Sequence, residues 1–250
     1  MKLQNPKTLQ GKHPVVLASA ILALALLLPP AVGRAEAPKS AEDAGWTLIF
    51  SDDFDREELG TDWVAVDGDW TIKDNSLRGS GTLLSAKGFP GDSTQGFLRL
   101  EFEATTDVKP IIFFPDRPPP EVSVGDISSI LNAQPPDAGA PIETGYFFQF
   151  GGNLNTRNQI QKAGVQVASD VTPENRIVPD KKHHVVVEND QGTVRMVIDG
   201  KVVLEEEESE SILGEGYDRI GFYFYTASKI DNLKLYVKRL PNGLDTDADY

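Results

Sequence analysis

The chain has 250 residues, with 38 Asp and Glu against 24 Lys and Arg, a net charge of −14, and no cysteine. An acidic chain repels nucleic acid and anionic membrane surfaces, which argues against both as partners. Without disulfides, stability must come from a buried core, and this length is sufficient for one sizeable domain.

The first 37 residues have the pattern of an export signal. A basic start with three lysines is followed by the apolar run 15–28, two prolines and the small residues 31–37. This order predicts a signal peptide that is cleaved after Ala35 or Ala37. The alternative is an uncleaved membrane anchor, but the apolar run is shorter than the roughly 20 residues that a bilayer requires.

Cleavage would make the remaining chain more acidic. Residues 1–35 contain four of the 24 basic residues and none of the 38 acidic ones, so the exported protein would carry a net charge of −18. We therefore expect a periplasmic or extracellular protein with no membrane attachment after cleavage. Lipid anchoring through a cysteine is excluded, because the chain contains none.

The remainder divides into a polar linker at 38–45, one domain at 46–240 and a polar tail at 241–250. Short runs of β-forming residues separated by Asp, Asn and Gly begin this domain, and such runs are typical of strands joined by turns. The predicted strands are Trp46–Phe50, Trp63–Val66, Asp69–Lys73, Ser76–Arg78 and Phe97–Thr105.

The middle of the chain is ambiguous. Many prolines between 107 and 143 exclude a long helix or a central strand over much of that region. The segment from Asp126 to Asn132 fits either a short helix capped by Asp126 or a strand. We favour the strand, because the apolar segment Gly145–Phe150 needs a partner.

The clearest pattern in the chain is the meander from Lys182 to Glu206. Strand alternation places His183, Val185 and Val187 on one face and His184, Val186 and Glu188 on the other. Asp199-Gly200 is the preferred sequence for a two-residue hairpin turn. With further strands at 158–168, 217–226 and 229–240, the pattern predicts an all-β protein, a two-sheet antiparallel sandwich. Phe102, Met196 and Ile198 are predicted to face the space between the sheets.

Several motifs occur in an order that resembles a known fold family. They are Asp52-Asp53-Phe54, Trp70–Leu77, Gly145–Gly151, His184–Val187, Ile198–Lys201, Gly221-Phe222 and Ile230–Leu233. Together they resemble the concanavalin A-like lectin/glucanase (laminin-G-like) jelly roll. The chain is similar to the secreted bacterial branch related to 3-keto-disaccharide hydrolases. The resemblance implies a concave sheet on which sugars are the commonest ligands, although a fold alone does not assign a function.

Catalytic residues are harder to find. Glucanases of this fold carry the motif E-x-D-x-x-E, and its nearest match, Glu188 to Thr193, ends in Thr and coincides with a predicted turn. Glu101 and Glu103 form a better carboxylate pair, because they lie on one face of a strand about 7 Å apart. A solvated strand face explains the same two residues equally simply.

Metal binding has little support in the sequence. His183 and His184 are adjacent on a strand, so their rings point to opposite faces and cannot share a zinc ion. The resemblance does imply that a structural calcium ion could be held by Asp52, Asp53 and Asp231. The simpler interpretation is that these aspartates form turns and strand starts. No cofactor is expected.

Strand parity selects the residues that could bind a ligand. If Phe148, Phe150, Phe222 and Phe224 face the core, the residues that alternate with them face outwards. A sugar requires aromatic planes for stacking and fixed polar groups for its hydroxyls. The candidate ligand-binding residues are Arg99, Phe147, Gln149, Asn153, Asn155, Arg157, Tyr223 and Tyr225.

Three functions remain open at this stage. The first is a secreted carbohydrate-binding sandwich, with an aromatic strip on one face. The second is a glycoside hydrolase that acts on sugars or keto-disaccharides through Glu101, Glu103 and Arg99, which would require a groove of convergent carboxylates. The third is an extracellular structural or adhesive protein with a flat polar face.

Overall fold

The computed structural model describes residue 41 and residues 44–89, 97–106, 108–109 and 123–238. The predicted signal peptide, most of the predicted linker and the predicted polar tail lie outside these ranges and remain predictions. None of the helices in the described ranges is long and apolar enough to span a membrane.

The structure is built almost entirely from antiparallel strands, which confirms the predicted fold class. The strands are β1 Thr47–Asp52, β2 Trp63–Ala65, β3 Asp69–Ile72, β4 Leu77–Ser85, β5 Phe97–Thr106, β6 Val108–Lys109, β7 Ser123–Val124, β8 Ile127–Ala133, β9 Tyr146–Gly151, β10 Arg157–Lys162, β11 Val165–Asp170, β12 His183–Asp190, β13 Thr193–Ile198, β14 Lys201–Glu207 and β15 Arg219–Lys238. Helical segments are short: α1 Pro141–Thr144, α2 Gly152–Asn155, and 3₁₀ turns at Pro136–Ala138 and Pro173–Asn175. β8 confirms that the segment after Asp126 is a strand rather than a helix.

Two long strands join the two layers of the sandwich. β4 and β15 each belong to both layers, so the hydrogen-bonded ladder is continuous through thirteen strands. Sheet I has the order β11-β10-β9-β8, followed by Arg219–Phe224 of β15, Gly81–Leu84 of β4, and β2. Sheet II has the order β14-β13-β12-β5, followed by Ser228–Lys238 of β15, which also pairs with β1 and with the start of β4.

The bend in these strands explains two differences from the sequence prediction. The register of β15 shifts between Phe224 and Ser228, and such a bulge bends a strand. The two strands predicted at 217–226 and 229–240 are therefore one bent strand. In β4 the bend coincides with Gly81, whose φ of +94° is unfavourable for other residues. The strand predicted at Ser76–Arg78 instead continues through Gly79 and Gly81 to Ser85.

The meander at β12–β14 agrees closely with the prediction. Val185 pairs with Ile198 and Val187 pairs with Met196, so the apolar residues of the two strands share one face. The connecting turns have positive φ at both central residues, 50° and 91° at Gln191-Gly192, and 51° and 79° at Asp199-Gly200. Turns of this kind match the right-handed twist of paired strands, so they fix the register of the meander.

The main core lies between the two sheets. Phe102 of β5 meets Phe222 of β15 edge to face, with ring centroids 5.2 Å apart. Met196 and Ile198 belong to the same cluster, which confirms the three predicted core positions. The same cluster contains Phe148, Phe150 and Phe224. The predicted parity of β9 and of the first part of β15 is therefore correct.

We expect Phe102→Ala to lower the free energy of unfolding by about 3–5 kcal/mol, because it removes a fully buried ring and leaves a cavity between the sheets. Urea unfolding monitored by tryptophan fluorescence measures this loss. Thr105→Ala, at a partly exposed position on the same strand, is the control and should cost about 1 kcal/mol or less. A loss below about 1 kcal/mol for Phe102→Ala would contradict this packing.

Candidate functional site

A cavity of about 360 Å³ opens on the outer face of sheet I, the face opposite the core. Its volume lies within the range of small-molecule sites in proteins. Four of the eight predicted ligand-binding residues line it: Gln149, Asn153, Tyr223 and Tyr225. The other lining residues are Gly125, Asp126, Gly151, Gly152, Leu154 and Thr226.

The polar centre of the cavity is the carboxylate of Asp126, a residue that is 5% exposed. Ser128 Oγ donates to Asp126 Oδ2 at 2.6 Å, and the backbone N–H of Tyr225 donates to Oδ1 at 3.1 Å. Gln149 Nε2 also donates to Oδ2, at 3.1 Å. Three donors therefore hold the carboxylate in one orientation. Because all three are neutral, none of them balances its charge.

Gln149 is fixed from both ends of its amide. Its Nε2 donates to Asp126, and its Oε1 accepts a hydrogen bond of 2.7 Å from Gln159 Nε2 on the neighbouring strand. A carboxylate only accepts, so this network assigns which end of the Gln149 amide is nitrogen. A side chain held in this way can recognise a ligand without losing further rotamer freedom.

Two tyrosines supply the aromatic surface. Tyr225 is 81% exposed, so most of its ring is available for contact. Tyr223 is half-buried, and its ring packs edge to face against Phe147 at 5.9 Å. Burial raises the pKa of Tyr223, and the negative charges of Asp126 and Asp67 raise it further. Tyr223 therefore stays a neutral phenol, and the electrostatic potential around it is negative.

The rim of the cavity is a tight left-handed turn. Asn153, Leu154 and Asn155 have φ values of 52°, 61° and 58°, a conformation that L-residues adopt at an energetic cost. Asn155 fixes the turn, because its amide accepts from the backbone N–H of Ile177 and donates to the Ile177 carbonyl. The side chain of Leu154 is 54% exposed at this rim. Strain that is maintained in this way occurs preferentially at binding sites.

Three of the predicted ligand-binding residues have other surroundings. Phe147 faces outwards as predicted but is buried in a small apolar cluster with Leu84, Ile130 and Ala133, so it supports Tyr223 from below. Asn155 uses its amide to hold the turn, as described above. The Arg157 guanidinium donates to Gln166 and does not line the cavity.

Arg99 lies on the other side of the molecule, so the eight candidate ligand-binding residues do not form one surface. It belongs to β5 in sheet II, where it pairs with Glu188 of β12. Arg99 Nη1 donates to Glu188 Oε2 at 2.9 Å, and Arg195 binds the other oxygen of Glu188 at 2.5 Å. Arg99 does face away from the core, as strand alternation predicts. Which of the two sheets contains β5 depends on pairing between distant strands, and alternation does not determine that pairing.

Glu101 and Glu103 lie on the same outer face of sheet II and already have partners. Glu101 Oε1 is 3.0 Å from His184 Nε2, and Glu103 Oε2 accepts from Lys182 at 2.7 Å. The hydrogen bond from His184 holds the pKa of Glu101 below its ordinary value, against the opposing effect of burial. These two carboxylates are bonded to side chains in or next to β12 and do not line the cavity.

Asp52, one of the three aspartates considered for calcium, already has partners within the protein. Asp52 accepts from Arg56 Nη2, from Trp63 Nε1 and from the backbone N–H of Phe54 at 2.8–2.9 Å. Burial alone would raise the pKa of Asp52, but these donors outweigh it and lower the pKa. Both oxygens thus hold a buried turn in place. No group of three or more His, Asp or Glu side chains within the described ranges is arranged to hold a metal ion.

Sequence reasoning missed the residue at the centre of the site. Asp126 was considered only as a helix cap, although it follows Gly125 at the start of a strand. Gly152, just after the predicted strand, was a further signal in the sequence. The structure shows why a glycine is needed there, because an added Cβ would lie 2.2 Å from Gln149 Oε1. Glycine at a strand end often marks a place where other groups approach the backbone closely.

Comparison with known proteins identifies the fold. No protein-family model matches the chain, and a search of curated proteins finds no significant match. Among solved structures, the chain is similar to a β-glucanase from Bacillus licheniformis, with a TM-score of 0.52, 14% identity, and coverage of 78% of this chain and 99% of that one. It is also similar to a Bacillus subtilis protein with a galectin-like fold, with a TM-score of 0.52, 13% identity, and coverage of 78% and 100%.

A third similar structure is the carbohydrate recognition domain of Emp47p, with a TM-score of 0.51, 11% identity, and coverage of 78% of this chain and 98% of that one. At these identities the comparison shows the fold alone. The chain has the concanavalin A-like jelly-roll fold, as the sequence motifs indicated. The relation to the 3-keto-disaccharide hydrolase branch remains a prediction.

The hydrogen bond between His184 and Glu101 should make stability depend on pH. Because folding lowers the pKa of Glu101 from its ordinary value of 4.5, its contribution is present above about pH 4.5 and is lost as the pH falls through the folded-state pKa. We therefore expect the difference in unfolding free energy between the wild type and Glu101→Gln to be largest near neutral pH and to shrink towards pH 3. Urea unfolding across this range measures it.

The control is Glu57→Gln, which removes a carboxylate from an exposed position. Its effect on stability should be small at every pH. A difference between the wild type and Glu101→Gln that stays constant from neutral pH to pH 3 would contradict the proposed linkage.

Proposed function

We propose that the protein is an exported carbohydrate-binding protein whose binding site is the cavity on the outer face of sheet I. The observation that carries the proposal is the juxtaposition of Asp126 and Gln149 with the rings of Tyr223 and Tyr225 around one cavity. The rings offer planes for the C–H faces of a sugar, and the fixed carboxylate and amide offer partners for its hydroxyls. Export rests on the signal-like pattern of residues 1–37.

The fold is consistent with this function. Solved structures with the same fold include a carbohydrate recognition domain and a β-glucanase. The fold indicates carbohydrate recognition only as a general class of function. Binding by this chain is therefore inferred from the cavity itself. A concave cavity with directed polar groups favours a small ligand over the flat polar face expected of an adhesive protein.

The cavity favours binding over hydrolysis. Glycoside hydrolases of the usual kind need two carboxylates on either side of the scissile bond, about 5–10 Å apart. Asp126 is the only carboxylate among the described residues that line the cavity. The pair expected for the hydrolase alternative, Glu101 and Glu103, lies on the outer face of sheet II and is bonded to His184 and Lys182.

The test uses Tyr225, because its ring is largely exposed and its removal should leave the fold intact. We expect Tyr225→Ala to weaken saccharide binding by about 1–3 kcal/mol and Tyr225→Phe to retain most of the affinity, since stacking requires the ring rather than the hydroxyl. A glycan array with the protein lacking residues 1–37 identifies ligands, and titration calorimetry then measures the dissociation constants.

Val165→Ala is a matched control, because Val165 is 66% exposed and lies outside the cavity. It should bind as the wild type does. The proposal fails if no saccharide binds, or if Tyr225→Ala binds with unchanged affinity. Release of reducing sugar from the bound glycan would instead favour the hydrolase alternative.

A further inference from the structure

Among the residues that the structure describes, none balances the charge of Asp126. Three carboxylates in the described ranges belong to buried residues, Asp52, Asp126 and Glu188, which are 8%, 5% and 4% exposed. Asp52 is paired with Arg56, and Glu188 is paired with two arginines. Among the described residues Asp126 has no Lys, Arg or His partner, and its three side-chain bonds all come from neutral donors.

A purely structural role does not explain this arrangement. A neutral oxygen of an amide or hydroxyl side chain could also accept hydrogen bonds from the donors around Asp126. Its burial would cost less free energy, because a buried charge without a counter-charge is unfavourable. A carboxylate has about four acceptor positions, and three are used here. The fourth position, on Oδ1, has no partner among the described residues, and Asp126 lines the cavity.

The surroundings of this position suit a positive charge. No Lys or Arg is among the described residues that line the cavity. Arg157, on the neighbouring strand, is directed to Gln166. Tyr223 and Tyr225 line the same cavity, and the face of an aromatic ring attracts a cation within about 6 Å. A cation in the cavity would therefore meet a buried carboxylate and two rings.

We propose that the ligand is an amino sugar with a free ammonium group, and that Asp126 accepts a hydrogen bond from this group while Tyr223 and Tyr225 contact it through their rings. This inference rests on the proposed function, because it specifies which class of carbohydrate the cavity prefers. An ammonium group would supply both the missing counter-charge and the donor for the fourth acceptor position. A uronic acid in the same place would meet only negative charge.

The test compares four tetrasaccharides by titration calorimetry: β-1,4-linked glucosamine, N-acetylglucosamine, glucose, and a uronic acid. At about 0.01 M salt we expect the glucosamine tetramer to bind about 10- to 100-fold more tightly than the glucose tetramer, since a charge-assisted hydrogen bond is stronger than a neutral one. The uronic acid should bind most weakly. The preference for the amine should decrease at about 0.3 M salt, where charges are screened over a few ångströms.

Two variants distinguish binding of the ammonium group by Asp126 from the general attraction of a cation to an acidic protein. Asp126→Asn and Glu57→Gln each remove one negative charge, but only the first acts inside the cavity. We expect Asp126→Asn to lose most of the preference for the amine and Glu57→Gln to keep it. Thermal unfolding checks that both are folded. If Asp126→Asn does not fold, Tyr225→Leu removes an exposed ring and should reduce the same preference.

The outcomes distinguish this inference from the function on which it rests. Equal affinity of the wild type for the glucosamine and glucose tetramers would overturn the inference and leave carbohydrate binding intact. An amine preference in Asp126→Asn as large as in Glu57→Gln would also overturn it. If none of the four tetramers binds and the glycan array shows no ligand, both proposals fail.

Discussion

The structure depends on the bulge in β15, where one strand passes from sheet I to sheet II. Between Phe224 and Ser228 the strand leaves its regular register, so the backbone there needs partners outside the ladder. Asp126 bonds to one backbone group and one side chain of this segment. Its carboxylate accepts from the N–H of Tyr225, and its backbone carbonyl accepts from Ser228 Oγ. The bend that joins the sheets is therefore stabilised by the residue at the centre of the cavity.

This coupling explains why a binding site lies at this place in the fold. The bulge ends the regular pairing of β15 just where β9 ends in Gly151 and the left-handed turn begins. Strand ends and bulges open a sheet face that would otherwise be closed by neighbouring side chains. Parity then places Phe222 and Phe224 in the core and leaves Tyr223 and Tyr225 for the cavity.

Local pattern was sufficient to predict much of this arrangement. Alternation predicted which residues of β9 and β15 face the core, and the turn residues at Asp199-Gly200 predicted the meander. These features depend on neighbours in sequence. The position of Arg99 and the burial of Phe147 depend instead on strand order, because Glu188 and Leu84 come from strands that are distant in the chain. A period of two residues carries no information about such pairing.

The two outer faces of the sandwich use charge in different ways, and this difference indicates where function lies. On sheet II, Glu205, Arg195, Glu188, Arg99 and Glu101 follow one another with alternating sign, so each of these charges has a partner supplied by the fold. Such a face is complete without a ligand. On sheet I, the buried Asp126 is surrounded by neutral donors and aromatic rings. A carboxylate that the described residues orient but do not neutralise is unfavourable for stability alone, which favours a cationic partner that is not part of the chain.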